Sequence, residues 1–200
     1  MYRNIHSLQT LPSEVKTFLW RAVFLFVFWK ALYILILIPN QMPDSWLVKK
    51  VGEGTAFILD YIYPKLQIRS DDITRPKVYG RDTVNATYSM INTGSGRNLL
   101  GIYQACNGLE LMILYAGFII CFSGNWLRKI IFILLGVIGL FIINVLRCAF
   151  LGIVVLEMPR YFVFAHKYIF NLVVYAFTFL LWVIYVTGLN KKHDSEKQIA

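Results

Sequence analysis

The chain has 200 residues, 58% of them hydrophobic and 16% charged, with 20 Lys and Arg against 11 Asp and Glu. That apolar content excludes an ordinary soluble globule and points to a polytopic membrane protein. No basic stripe interleaved with aromatics accompanies the net charge of +9, so nucleic acid is not expected as a partner.

Residues 1–17 are polar and include Arg3 and Lys16. A first span is expected at Phe18–Ile38, stopped by Pro39-Asn40. It is longer than the apolar region of a signal peptide, and no small-residue cleavage site follows, so it reads as an anchor. Residues 39–98 hold most of the acidic residues. Asp44-Ser45-Trp46 can start a helix in which Leu47, Val51, Ile58, Leu59 and Ile62 recur at helical spacing, an amphipathic element for the membrane surface or the other spans. Leu66–Ile73 and Val78–Ile91 read as short strands, and Thr93-Gly-Ser-Gly96 as a flexible joint.

Three further spans are expected at Leu99–Phe122, Ile130–Leu156 and Tyr161–Val186, with tight turns between them and a polar tail. The predicted fold class is therefore all-α integral membrane: a four-span helical bundle with an extracytoplasmic segment between spans one and two. Its parts are 1–38 (N-terminus and first span), 39–98 (outer segment), 99–187 (three-span core) and 188–200 (tail). Basic residues flank the first span, the Arg128-Lys129 turn and the Lys191-Lys192 tail. All three sites then face the cytoplasm of a cell membrane, as do both termini, and 39–98 lies outside.

Polar residues inside spans are expensive and read as functional candidates. Cys106, Asn107 and Glu110 stand in span two, Asn144 and Arg147 in span three, and His166 in span four. At about 1.5 Å rise per residue, Cys106, Arg147 and His166 lie roughly 24, 26 and 30 Å from the cytoplasmic ends of their spans. Three helices thus bring them to one height in the outer leaflet. Asn144 and Arg147 share a face at i, i+3, and Glu110 is expected one turn below Cys106, within reach of Arg147 or Lys30.

A thiol becomes a strong nucleophile as thiolate, which a neighbouring His or Arg favours. Cys106 is the candidate nucleophile, His166 the acid–base and Arg147 the oxyanion partner. Asn144, Asn107 and Glu110 are candidates to orient these groups or donate to the oxyanion. Cys121 and Cys148 complete an odd count without a CxxC pair, which leaves at least one thiol unpaired in the monomer. One His and one usable Cys fall short of a closed zinc site, so no metal is expected. Two rival readings stay open: a non-enzymatic membrane subunit bound together by these polar residues, and a thiol-dependent lipid or sugar transferase.

Ala-Cys106-Asn-Gly, Asn144-Val-Leu-Arg147 and Ala-His166, one motif per consecutive span, resemble the exosortase/archaeosortase family over residues 99–187. The resemblance implies a membrane cysteine protease/transpeptidase. Its substrate would be a membrane-anchored secreted protein with a C-terminal sorting signal, passed to an acceptor through a thioester without a cofactor. Cys106, Arg147 and His166 match the family's catalytic residues, and Asn144 its motif Asn. Many members have Ser or Thr where this chain has Asn107, and many have more spans, so the chain resembles a compact branch.

Overall fold

A computed structural model of the chain describes residues 13–33, 35, 42–79, 82–122 and 125–199. Helices α1 (Ser13–Leu32) and α2 (Asp44–Ile62) are followed by three strands, β1 (Arg69–Tyr79), β2 (Asp82–Asn92) and β3 (Asn98–Ile102). Helices α3 (Leu109–Cys121), α4 (Trp126–Glu157) and α5 (Phe170–Ile199) complete the chain, with a short helical turn (Phe162–Phe164) and a π-helical turn (Ala165–Ile169) leading into α5. The N-terminal segment with Arg3, the expected stop at Pro39-Asn40, and Ser123 and Gly124 lie outside the described residues.

The apolar runs make the helices. Trp126–Glu157 and Pro159–Gly188 are long and apolar enough to cross a membrane. The 32-residue α4 measures about 48 Å. Large apolar side chains line the outer faces of α1, α4 and α5, among them Phe24, Leu134, Ile138, Phe179 and Val183. Such an unbroken apolar exterior suits lipid rather than water.

The expected span Leu99–Phe122 is not one helix. Residues Asn98–Ile102 pair as β3 with β2, with Ser89 opposite Ile102 and Ile91 opposite Leu100. Helix starts only at Leu109, and α3 has 13 residues, about 20 Å. Pairing with β2 satisfies the backbone of this Leu-rich stretch as well as a helix would, and hydropathy does not separate the two outcomes. At its other end α3 is closed by basic residues. Lys129 Nζ donates to the carbonyls of Ile120 (3.3 Å) and Phe122, and Arg21 Nη1 donates to that of Cys121 (3.4 Å). These cations satisfy terminal carbonyls where the helix dipole is negative.

The strands form one antiparallel sheet in the order β1-β2-β3. Their observed bounds shift from the expected ones, and the expected flexible joint is a hydrogen-bonded turn: Gly96 N donates to Thr93 O at 2.8 Å and Thr93 N to Arg97 O at 3.0 Å. Helix α2 lies between the sheet and α4, burying Leu47, Val48, Val51 and Leu59. Its contact with the sheet depends on Gly52. A Cβ there would come within 1.9 Å of Ser89 Oγ, which shares a 2.6 Å hydrogen bond with Ser70.

Two apolar cores meet along α4. Leu140 packs with Met112, Tyr115, Ile119 and Tyr185 in the helix bundle. Val145 and Cys148 pack with Val51, Leu59, Ile91, Leu99 and Ile102 beneath α2 and the sheet. Asn144 is the buried polar residue at the junction.

Candidate active site

Cys106 ends a 3₁₀ turn, Gln104–Cys106, that follows β3 by one residue. Its amide donates to Tyr103 O at 2.8 Å. The thiol is half-buried against the cluster containing Val145 and Cys148. The three cysteines are free thiols.

The next two residues turn the chain into α3. Asn107 is buried; its Oδ1 accepts from Leu109 N at 2.9 Å, covering one of the first amides of the helix. Its Nδ2 donates to Asp44 Oδ1 at 2.7 Å, fastening the loop to the first residue of α2. Gly108 takes φ +79°, and a Cβ there would stand 3.3 Å from Asn144 Cγ. A side chain at 108 would therefore be both strained and crowded.

Asn144 holds the loop from below. Its Nδ2 donates to the Cys106 carbonyl at 2.8 Å, and its Oδ1 has no partner among the described residues. One turn further along α4 is Arg147, half-buried, with a buried Nε that has no hydrogen-bond partner among the described residues. His166 sits in the π-helical turn with its ring parallel to Phe162, centroids 5.8 Å apart and planes 4° from parallel, and its Nδ1 is buried without a partner among the described residues. π-Turns of this kind occur preferentially at functional sites.

Among the described residues, three buried polar atoms on α4 and the π-helical turn thus lack a hydrogen-bond partner, and one of their residues, Asn144, touches the Cys106 turn. An unpaired buried donor or acceptor costs about 1–3 kcal/mol, so each of the three calls for a physical reason.

Glu110 departs from its expected place. Cys106 precedes α3, so Glu110 is not one helical turn below it; it is exposed in the first turn of α3. Among the described residues it forms no ion pair with Arg147 or Lys30, and the Lys30 ammonium stands over the Phe26 ring instead. Glu110 and Arg147 do line one cavity of about 210 Å³, together with Gln104, Asn107, Asn171 and Tyr175.

The family model for transmembrane exosortases matches residues 13–184. The chain belongs to the transmembrane exosortase family. No curated protein and no solved structure matches it. As an exosortase it is an integral membrane protein of the protein-sorting class, consistent with its two long apolar helices.

Several residues around the candidate site escaped the sequence reading. Asp44 was readable only as a helix start, yet it is buried and bonded to Asn107. Burial raises its carboxyl above the ordinary value, opposed by hydrogen bonds from Asn107 and Tyr33 and by the Lys77 charge. Lys77, from β1, also donates to Gln104 at 3.3 Å, so the hairpin touches the Cys106 turn. Phe162 and His166 stand at i, i+4, a spacing that was available as a signal.

Proposed function

We propose that this exosortase is a four-span membrane cysteine protease/transpeptidase that acts on C-terminal sorting signals of membrane-anchored secreted proteins. Residues 1–38 supply the cytoplasmic N-terminus and first span, 39–98 an extracytoplasmic layer, 99–187 the catalytic core and 188–200 the cytoplasmic tail. The Arg21 and Lys129 contacts at the end of α3 support this orientation, because basic residues gather at cytoplasmic span ends.

Cys106 Sγ attacks the scissile carbonyl. His166 takes the thiol proton and returns it to the leaving amine, and Arg147 stabilises the tetrahedral oxyanion. The carbon–nitrogen bond breaks and a thioester remains on Cys106, to be resolved by an acceptor. Side chains alone supply this chemistry. Asn144 positions the Cys106 backbone, and Asn107 positions the turn that follows.

The observation that carries this reading is the division of labour on one face of α4. Asn144 bonds the Cys106 carbonyl, and Arg147, one turn away, lines a cavity with Asn107 and Gly108 of the turn that follows Cys106. The test is Cys106→Ala in the native cell, with sorting-signal proteins blotted for their unprocessed forms. Accumulation of those forms is expected, and Cys148→Ala is expected to process normally. Normal processing by an inserted Cys106→Ala protein sinks the assignment.

A further inference from the structure

We infer that the far end of α3, remote from the Cys106 turn, is a binding site for the phosphate of an anionic phospholipid headgroup. Three cations meet there from two helices, Arg21 of α1 and Arg128 and Lys129 of α4. Arg21 Nη1 donates to the Cys121 carbonyl at 3.4 Å, and Lys129 Nζ donates to the carbonyl of the next residue, Phe122. The Phe122 ring meets the Tyr185 ring edge-on, with centroids 6.1 Å apart. Tyr185 in turn carries the Arg128 guanidinium, 5.8 Å from its ring centroid. All three charges are thus gathered around one helix end and one aromatic pair.

Among the described residues none of these cations forms an ion pair; the pairs Lys49–Asp72 and Lys50–Glu53 lie on α2 and the sheet. Three positive charges therefore face only the negative end of the α3 dipole, about half a charge. Arg128 is held ready for an anion. Its guanidinium also stands 5.6 Å from the Phe132 centroid, and it lies over Gly188 of α5, where a Cβ would come within 2.5 Å of Nη2. A planar fork fixed against two rings fits two phosphate oxygens and loses little freedom on binding them. Arg21 is exposed and keeps further N–H donors, whereas Lys129 is buried and contributes through its charge. The surroundings select a lipid as the source of the phosphate. At 13 residues α3 is about 20 Å long, short of a hydrocarbon core of about 30 Å, and a short apolar helix thins the bilayer and draws headgroups to its ends. Trp126, exposed and 4.7 Å from the Lys129 ammonium, is a residue type that marks the membrane–water boundary. A headgroup with its own ammonium would be repelled by the three cations, so an anionic lipid is favoured over a zwitterionic one.

The full-length protein, stripped of lipid in a neutral detergent, tests this with phosphatidylglycerol and phosphatidylcholine as probes. Bound lipid is counted by native mass spectrometry, and the melting temperature is followed in parallel. The wild type is expected to retain phosphatidylglycerol in preference to phosphatidylcholine and to melt higher with it. Arg21→Gln and Arg128→Gln are each expected to weaken phosphatidylglycerol binding about fivefold, the effect of one cation at an anionic lipid surface. Arg128→Lys keeps the charge without the fork and is expected to fall between Arg128→Gln and wild type. Lys191→Gln, which removes a charge from the tail, is expected to bind as wild type does. Should Arg128→Gln fail to fold, Arg21→Gln gives the same reading, because its side chain is exposed. Equal retention of the two lipids overturns the site. So does a loss in Lys191→Gln as large as in Arg21→Gln, which would reduce the effect to net charge. A melting shift reproduced in full by inorganic phosphate overturns the lipid as the ligand.

Discussion

Asn107, adjacent to the candidate nucleophile, donates from its side-chain amide to Asp44 Oδ1 at 2.7 Å, across 63 residues of sequence, and both partners are buried. The bond ties the Cys106 turn to the start of α2, so the layer of α2 and the sheet fixes the turn that leads into α3. Asp44→Ala leaves the Asn107 amide unpaired and is expected to cost about 1–3 kcal/mol of stability. Asp44→Asn keeps an acceptor in place and is expected to cost less. Thermal unfolding in detergent separates the two.

The same carboxyl makes stability depend on pH. Its folded-state pKa is raised, chiefly by burial, so the folded protein holds this proton at pH values where the unfolded chain has lost it. Its contribution is complete below the unfolded value of about 4 and declines as pH rises through the folded value. In Asp44→Asn that part of the slope is expected to vanish. An identical slope in wild type and variant would remove Asp44 as its source.

Arg147→Met is expected to keep the fold, since Arg147 forms no ion pair among the described residues. Processing should fall by about two to three orders of magnitude, the usual effect of losing an oxyanion donor. Arg147→Lys keeps the charge without the planar fork and should recover only part of the rate. Quantitative blotting of processed and unprocessed forms reads both.

Gly108→Ala combines a left-handed backbone with a Cβ 3.3 Å from Asn144 Cγ. About 1–2 kcal/mol is expected from the backbone alone. Because Asn144 must move, the bond to the Cys106 carbonyl is weakened too, and labelling of Cys106 should change along with the melting temperature. A lowered melting temperature with unchanged labelling would separate the glycine from the site.

Gly52→Ala places a methyl group against Ser89 Oγ, where the contact would be 1.9 Å. Prying α2 from the sheet is expected to cost about 1–3 kcal/mol, as overpacking generally does. Protease sensitivity of the sheet should rise before that of the helices.

The long helices were legible because hydropathy is a local signal: the span expected at Ile130–Leu156 is the helix Trp126–Glu157. Cys106, Asn144, Arg147 and His166 stood out because each is a costly residue in an apolar run, and Asn144 and Arg147 share a face by spacing alone. Residues 99–108 were misread because the choice between strand and helix is made by Ser89–Asn92, a partner that hydropathy does not see. The role of Asp44 was hidden for the same reason: nothing within a few residues of it indicates that Asn107 will be its neighbour. The π-turn at His166 leaves no local trace either, since Ala-His-Lys-Tyr-Ile suits an ordinary helix equally well.

Helix α4 contributes side chains to each of the three apolar clusters: the bundle, the layer under α2, and the small group around Ala165 and Phe170. Asn144 and Arg147 occupy the boundary between the first two. A chain with only the bundle formed has an α4 without its cover, and one with only the outer layer formed has no α3 to carry Glu110. The Cys106 turn thus draws its contacts from both: Asn107 bonds Asp44 of α2, and Asn144 of α4 bonds the Cys106 carbonyl. A change that loosens either half is therefore expected to reach the turn, whichever side of α4 it starts from.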